Sequence, residues 1–443
     1  MRKILILCLL LALAALAWPV YVGVQVEKAL REARTGHLGD VRFHHSVEGY
    51  ERERYRARAT TVLHIVGNGM DLQVHLEHRI RHRLLGAAVD TRVAPRQDAA
   101  DLPPHWHAAL TQAQPRADSW LGLGGGVSSR LATRPVQVAW IEEGAENEQP
   151  FLLEVAAGQG GLALSSERVV LSFDTDTLRL NLGGAGLHLD EFHYGLLLHP
   201  APEESYGRLP DYDLGLGAAR LSLQQYGQEL LGADSLQMSA WQNSTVTELD
   251  SLLRVRAKEV RSADVELEGL DLHLNALRWH RPTVMDFIEA RQDMASMQLD
   301  PQARAGLILG MVLDALQQMS PHDPRVQGGI SVNSDPTKRL RAHLDLGLQG
   351  DAGRITTRPL EALDLDLDVE IGMALFEELE TLASDPEALR TWLELGISDG
   401  WIEVGDGQLN SRLRLEEGRL LINDRDQTIL LLGLVFALGQ GMF

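Results

Sequence analysis

The chain of 443 residues carries 41 basic against 62 acidic side chains, a formal net charge of −21, with 44 % hydrophobic and 23 % charged residues. That balance excludes a disordered chain, a collagen-like repeat and a polytopic membrane protein, and the length allows one large core or several smaller ones. The acidic excess argues against a nucleic-acid partner, because counterion-releasing phosphate contacts need a basic face.

Arg2 and Lys3 precede an uncharged run from Ile4 to Gln25, and about 20 apolar residues are what a helix needs to cross a bilayer. Residues 1–25 are therefore expected to form an N-terminal transmembrane helix. Ala-x-Ala patterns would allow cleavage after Ala17, yet Pro19 through Val24 stays apolar and passes without a turn into the amphipathic segment Val26 to Ala33, which favours a retained signal anchor. The basic start then stays cytoplasmic, with the bulk of the chain on the far side. Cys8, the only cysteine, falls inside this run, so the exported part can form no disulfide, thiolate nucleophile or thiolate metal site.

Beyond the anchor, residues 26–135 read as a β-hairpin region followed by a loop-rich connection. Thr61 to Leu85 is the hairpin: Asn68-Gly69 is a type I′ turn signal, and Leu72, Val74, Leu76, Ile80 and Leu84 share one face of a period-2 segment. Gln73, His75, Glu77, Arg79, Arg81 and Arg83 take the other. Four prolines, Pro95, Pro103, Pro104 and Pro115, and the glycines of Gly122–Gly126 suggest that residues 86–130 are irregular. Residues 136–280 read as a β-meander, with alternating runs such as Val169-Leu171-Phe173 and Leu270-Leu272-Leu274. Residues 281–325 form a helical insertion, broken at Asp300-Pro301, whose second helix is apolar on nearly every side and so must be enclosed by protein or touch lipid. Residues 326–443 return to strands, with a second helical pair over 373–398, a final hairpin turning at Glu416-Glu417-Gly418, and an apolar tail from Ile429 to Phe443 expected to pack on the body, cover a sheet edge or form a subunit contact. The fold class is thus mainly β with helical insertions (α+β), an extended, curved antiparallel β-meander behind an N-terminal transmembrane helix.

Chemistry-bearing constellations are scarce. His75, His78 and His82 would align for zinc on a helix, but period-2 alternation points His75 away from the other two. His105 and His107 flank Trp106 in a Pro-rich stretch and read as solvated loop histidines. Asp364, Asp366, Asp368 and Glu370 alternate with Leu365, Leu367 and Val369, the wet face of an amphipathic strand rather than a calcium loop. No Gly-x-Ser-x-Gly elbow is present, and Gly122–Gly126 lacks the Lys-Ser/Thr of a phosphate loop. No catalytic residue, metal site or cofactor is assigned.

The two ends resemble the YdgA family of Gram-negative envelope proteins. The N-terminal part shares its basic start, apolar helix, Tyr21-x-Gly23-x-x-Val26-Glu27 and a later Tyr50 with Arg52 and Arg54; the C-terminal part shares Leu415-Glu416-Glu417-Gly418-Arg419-Leu420-Leu421-Ile422-Asn423 and the ending Met442-Phe443. One departure is that His82 is followed by Arg83-Leu84, where the family often has His-Gly-Pro. The resemblance implies an inner-membrane-anchored periplasmic protein of unassigned function, with no activity to carry over.

The expected function is a non-enzymatic, single-pass envelope protein whose sheet presents an apolar groove to lipid or another apolar envelope component. Leu307, Ile308, Met311 and Leu313 of the second insertion helix are its candidate apolar contacts; five of the ten methionines, Met285, Met294, Met297, Met311 and Met319, lie in the same helical pair. The alternative is a structural, self-associating scaffold that docks a protein partner, with homo-oligomerisation through the tail. An exported hydrolase using dispersed Ser, His and Asp residues ranks third.

Overall fold

The computed structural model describes residues 21–429 apart from 29, 32–33, 39–40, 68–69, 84, 95–103, 123–125, 142–150, 166, 200–210, 263–264, 296–300, 334–335, 351 and 383–384. The expected anchor therefore falls mainly outside the described residues, and so does the tail beyond residue 429. Among the described residues no helix is long and apolar enough to cross a membrane. Strands dominate, every described strand pair is antiparallel, and the chain divides into two units, residues 1–200 with 221–228, and 201–220 with 229–443.

In the first unit, β1 (Arg34–Leu38), β2 (Val41–Arg52), β3 (Arg56–Gly67), β4 (Met70–Arg83), β5 (Gly86–Val93), β6 (Arg116–Gly122) and β7 (Val127–Ala132) pair in sequence order. β3 and β4 form the expected hairpin, with Gly67 opposite Met70, while Asn68 and Gly69 lie outside the described residues. The strand β11 (Val169–Leu182) then has one edge shared by two partners: β10 (Gly158–Leu164) takes its first half and β9 (Phe151–Val155) its second. Its other edge pairs with β12 (Ala185–His199). β10 continues to β7, whereas β9 continues to β8 (Val136–Trp140).

The irregular connection expected over 86–130 is corrected here. It holds β5, helix α2 (Pro104–Ala113), β6 and most of β7. Neither described proline sits inside an element: Pro104 opens α2, where a missing N–H costs nothing, and Pro115 stands between α2 and β6. His105 and His107 accordingly lie on a helix, and the His105 ring stacks on Trp140 at 4.5 Å between centroids.

The alternation read in β4 holds. Ile80, His78 and His82 are buried, while Gln73, Glu77, Arg79, Arg81 and Arg83 are exposed. Onto that buried face packs helix α1, described over residues 21–28 and 30–31, whose Val22 and Val26 join Ile80, Ala57, Ala59, Ala87 and Val89 in one core.

In the second unit, β14 (Gln228–Ser244), β15 (Glu248–Ser262), β16 (Val265–His280), β17 (Arg325–Val332), β18 (Leu340–Leu348), β19 (Leu363–Gly372) and β21 (Gln408–Glu416) pair in that order, with β20 (Glu403–Gly405) and β22 (Arg419–Ile422) sharing the far edge of β21. Both helical insertions appear where Asp-Pro signalled them: α3 (Arg281–Ala295) with α4 (Pro301–Met319), and α7 (Met373–Leu382) with α8 (Pro386–Ser398). Two short helices, α5 (Ala352–Thr357) and α6 (Pro359–Ala362), lie between β18 and β19. The final hairpin turns through Glu417 and Gly418, whose φ of 49° and 78° fit a two-residue left-handed turn.

Candidate functional site

Residues directly opposite in a ladder share a face, so the registers of the second unit assign each face. One cross-sheet row runs Arg254, His273, Gly329, His343, Asp368, Arg412, and the next runs Arg256, Asp271, Ser331, Arg341, Glu370, Asn410. This is the polar face. Arg254 clasps Asp271 through two hydrogen bonds, Nε to Oδ1 at 2.9 Å being one, and the pair holds the Asp271 carboxyl below its ordinary value. Asp366 accepts from Arg412 at 2.7 Å, and Arg325 reaches both Asp345 and Asp364, so the acidic ladder of β19 is tied to arginines. Among the described residues no group of three or more His, Cys, Asp or Glu is placed to hold a metal ion. Gly329 matters here: a Cβ on it would lie 2.5 Å from Cε1 of His273, so the imidazole rests directly over the glycine.

The opposite face is apolar. Its rows are Met238, Val255, Leu272, Ile330, Ala342, Val369 and Ala240, Leu253, Leu274, Gly328, Leu344, Leu367, Leu413. Helices cover its two ends. At one end Leu316 of α4 packs against Leu348, Ile355 and Ala362. At the other, α7 and α8 stand over Val369 and Ile371. Between them Leu274 is 46 % exposed and Leu253 39 %, beside Met238 at 37 %.

The four expected contact residues lie on α4, with Leu307 48 %, Ile308 40 % and Leu313 46 % exposed and Met311 half-buried. The helix is thus neither enclosed all round nor bare: Ala315 and Met319 are buried, and the half nearer its start presents aliphatic side chains outward. Met294 is likewise buried. What sequence reading missed is Leu253, Leu274 and Met238 as neighbours of one surface. Their alternation was visible; the registers that align them across strands were not.

A second cluster lies in the first unit. His78 sits between two hydroxyls, Nε2 to Thr61 Oγ1 and Nδ1 to Thr91 Oγ1, both 2.8 Å, and burial pushes its pKa down to about 4. His82 is 6 % exposed, with both ring nitrogens lacking a hydrogen-bond partner among the described residues, and burial followed by nearby Arg52 lowers its pKa. Its ring lies against Gly23, where a Cβ would approach Nε2 to 3.0 Å. Tyr50 donates to the Gly23 carbonyl at 3.5 Å, and Glu27 receives Arg52 at 3.3 Å and Arg31 at 3.0 Å. The residues that carried the N-terminal resemblance, Gly23, Val26, Glu27, Tyr50 and Arg52, therefore meet in one place, seating α1 on β2–β5. Burial, led by desolvation and helped by Glu27, raises the Tyr50 phenol to about 12.

These features define a mainly β, antiparallel protein with helical insertions, two-faced in its second unit. Over residues 1–429 the sequence matches a bacterial protein family of unknown function, DUF945. The chain belongs to that family. No curated protein and no solved structure matches it.

Proposed function

We propose that the protein is a non-enzymatic, membrane-anchored envelope module of the YdgA-like kind, periplasmic apart from its N-terminal anchor, that binds acyl chains on a curved sheet. What carries this reading is the apolar face of the second unit, where Leu253, Leu274 and Met238 stay 37–46 % exposed between helices and α4 adds Leu307, Ile308 and Leu313 alongside. A contiguous exposed apolar surface of this kind marks a ligand, membrane or protein contact. The uncharged run from Ile4 to Val20 supports the anchor, which ends before Val22 enters the core of the first unit.

The test is native mass spectrometry of the full chain, purified under mild conditions from its own envelope, with extraction and identification of bound lipid. The expected result is a stoichiometric lipid that Leu307→Glu together with Leu274→Glu removes. Unchanged lipid content in that variant, with the fold intact, sinks the groove. A lipid-free chain of doubled mass would favour the scaffold reading, for which the outward Trp392, Leu395 and Ile397 of α8 are the supporting surface.

A further inference from the structure

At the α7–α8 end of the apolar face, the helices do not close down on the strands. A cavity of about 280 Å³ remains, floored by Val369 and Ile371 of β19 and Leu409 of β21, and walled by Phe376 of α7 and Leu389 and Leu393 of α8. Protein interiors leave few voids larger than a water molecule, and an apolar cavity of even half this size stays dry and takes up a hydrocarbon guest. No charged side chain lines it. Trp392 lines it too and is 68 % exposed, so the cavity has a mouth.

We infer that this cavity receives the terminal methylenes of a single acyl chain. The inference shares its ligand class with the proposed function and names a different set of residues, at one end of the same face. Two observations choose the ligand. First, a peptide entering such a lining would bring backbone N–H and C=O groups out of water with only Asn410, Ser411 and the Trp401 indole to pair them, whereas a hydrocarbon chain has none to lose. Second, the floor is continuous with the open face: Val369 stands in the row of Ala342, Ile330, Leu272, Val255 and Met238, so a chain lying on that row runs into the cavity. Gly396 shapes the back wall. A Cβ there would lie 2.7 Å from Cδ1 of Ile402, so α8 approaches that strand-side residue as closely as the backbone allows.

The experiment uses the full chain in amphipol and stearic acid carrying a diazirine at its methyl end, irradiated and mapped by peptide mass spectrometry. The expected result is labelling confined to peptides of β19 and α8, saturable, and reduced at least tenfold by Val369→Phe, which fills the floor; Ile371→Phe serves as a second filler if the first does not fold. Labelling of α4 peptides alone would overturn the cavity while keeping the proposed surface. Labelling of β19 and α8 that Val369→Phe and Ile371→Phe leave unchanged would also overturn it, by showing a surface encounter, and absence of labelling anywhere would overturn both readings.

Discussion

At the scale of single residues, β4 commits two of its three histidines, His78 and His82, to the interior. A buried neutral imidazole must take up a proton in acid, so folding stability is complete above the unfolded-state pKa near 6.5 and is lost as pH falls from there toward the folded value. For His78 the folded value is about 4, and the gap corresponds to about 3 kcal/mol at 1.36 kcal/mol per pKa unit. His78→Gln, which can still hydrogen-bond both threonines, is expected to remove that share of the acid sensitivity. Urea unfolding at pH 7 and pH 4 measures it: the wild type should lose about 3 kcal/mol more between the two than the variant does. Equal losses would show that His78 is not the titrating group. The burial of His78 and its neighbour His82 was legible, because both stand at even spacing from Ile80. The Thr61 and Thr91 hydroxyls that accompany His78 were not, since they come from other strands.

At the scale of elements, local chemistry was readable wherever a short signal decides the outcome alone. Glu417-Gly418 turns the last hairpin, and Pro301 and Pro386 of the two Asp-Pro breaks open helices. Residues 86–130 show the converse. Pro104 and Pro115 are breakers by residue type, yet a proline at the first helical position or in a connection breaks nothing, and β5 and β6 are held by long ladders to β4 and β7. At α8 the cap is direct: the Asp385 carboxylate accepts from the Ala388 N–H at 2.9 Å. Asp385→Ala should cost about 1 kcal/mol. Amide exchange in the first turns of α8 would then speed up about fivefold, and unchanged exchange there would show that Pro386 and packing on α7 hold the helix start without the cap.

At the scale of the whole molecule, amphipathic strands could be counted from sequence, but not the alignment that gives the second unit one polar and one apolar face. Arg254, His273, His343 and Asp368 share a row only because five strands, β15 to β19, pair in one register, and a slip of one residue would send each to the other face. The division into two units offers an internal control on ligand binding. A ligand that binds only the folded state adds RT ln(1 + [L]/Kd), about 2.7 kcal/mol at a hundredfold excess over Kd. If acyl chains bind the apolar face of the second unit, saturating stearic acid should slow hydrogen exchange of the most protected amides in β15–β19 by about a hundredfold. Amides of β3–β5 in the first unit should be unaffected, because their core of Ile80, Val22 and Val26 belongs to the other unit. Leu274→Glu, placing a charge in the middle of the face, should abolish the protection in β15–β19. Equal slowing in both units would mean a nonspecific effect of the amphiphile, and no slowing in β15–β19 would mean that the face is covered by something other than lipid.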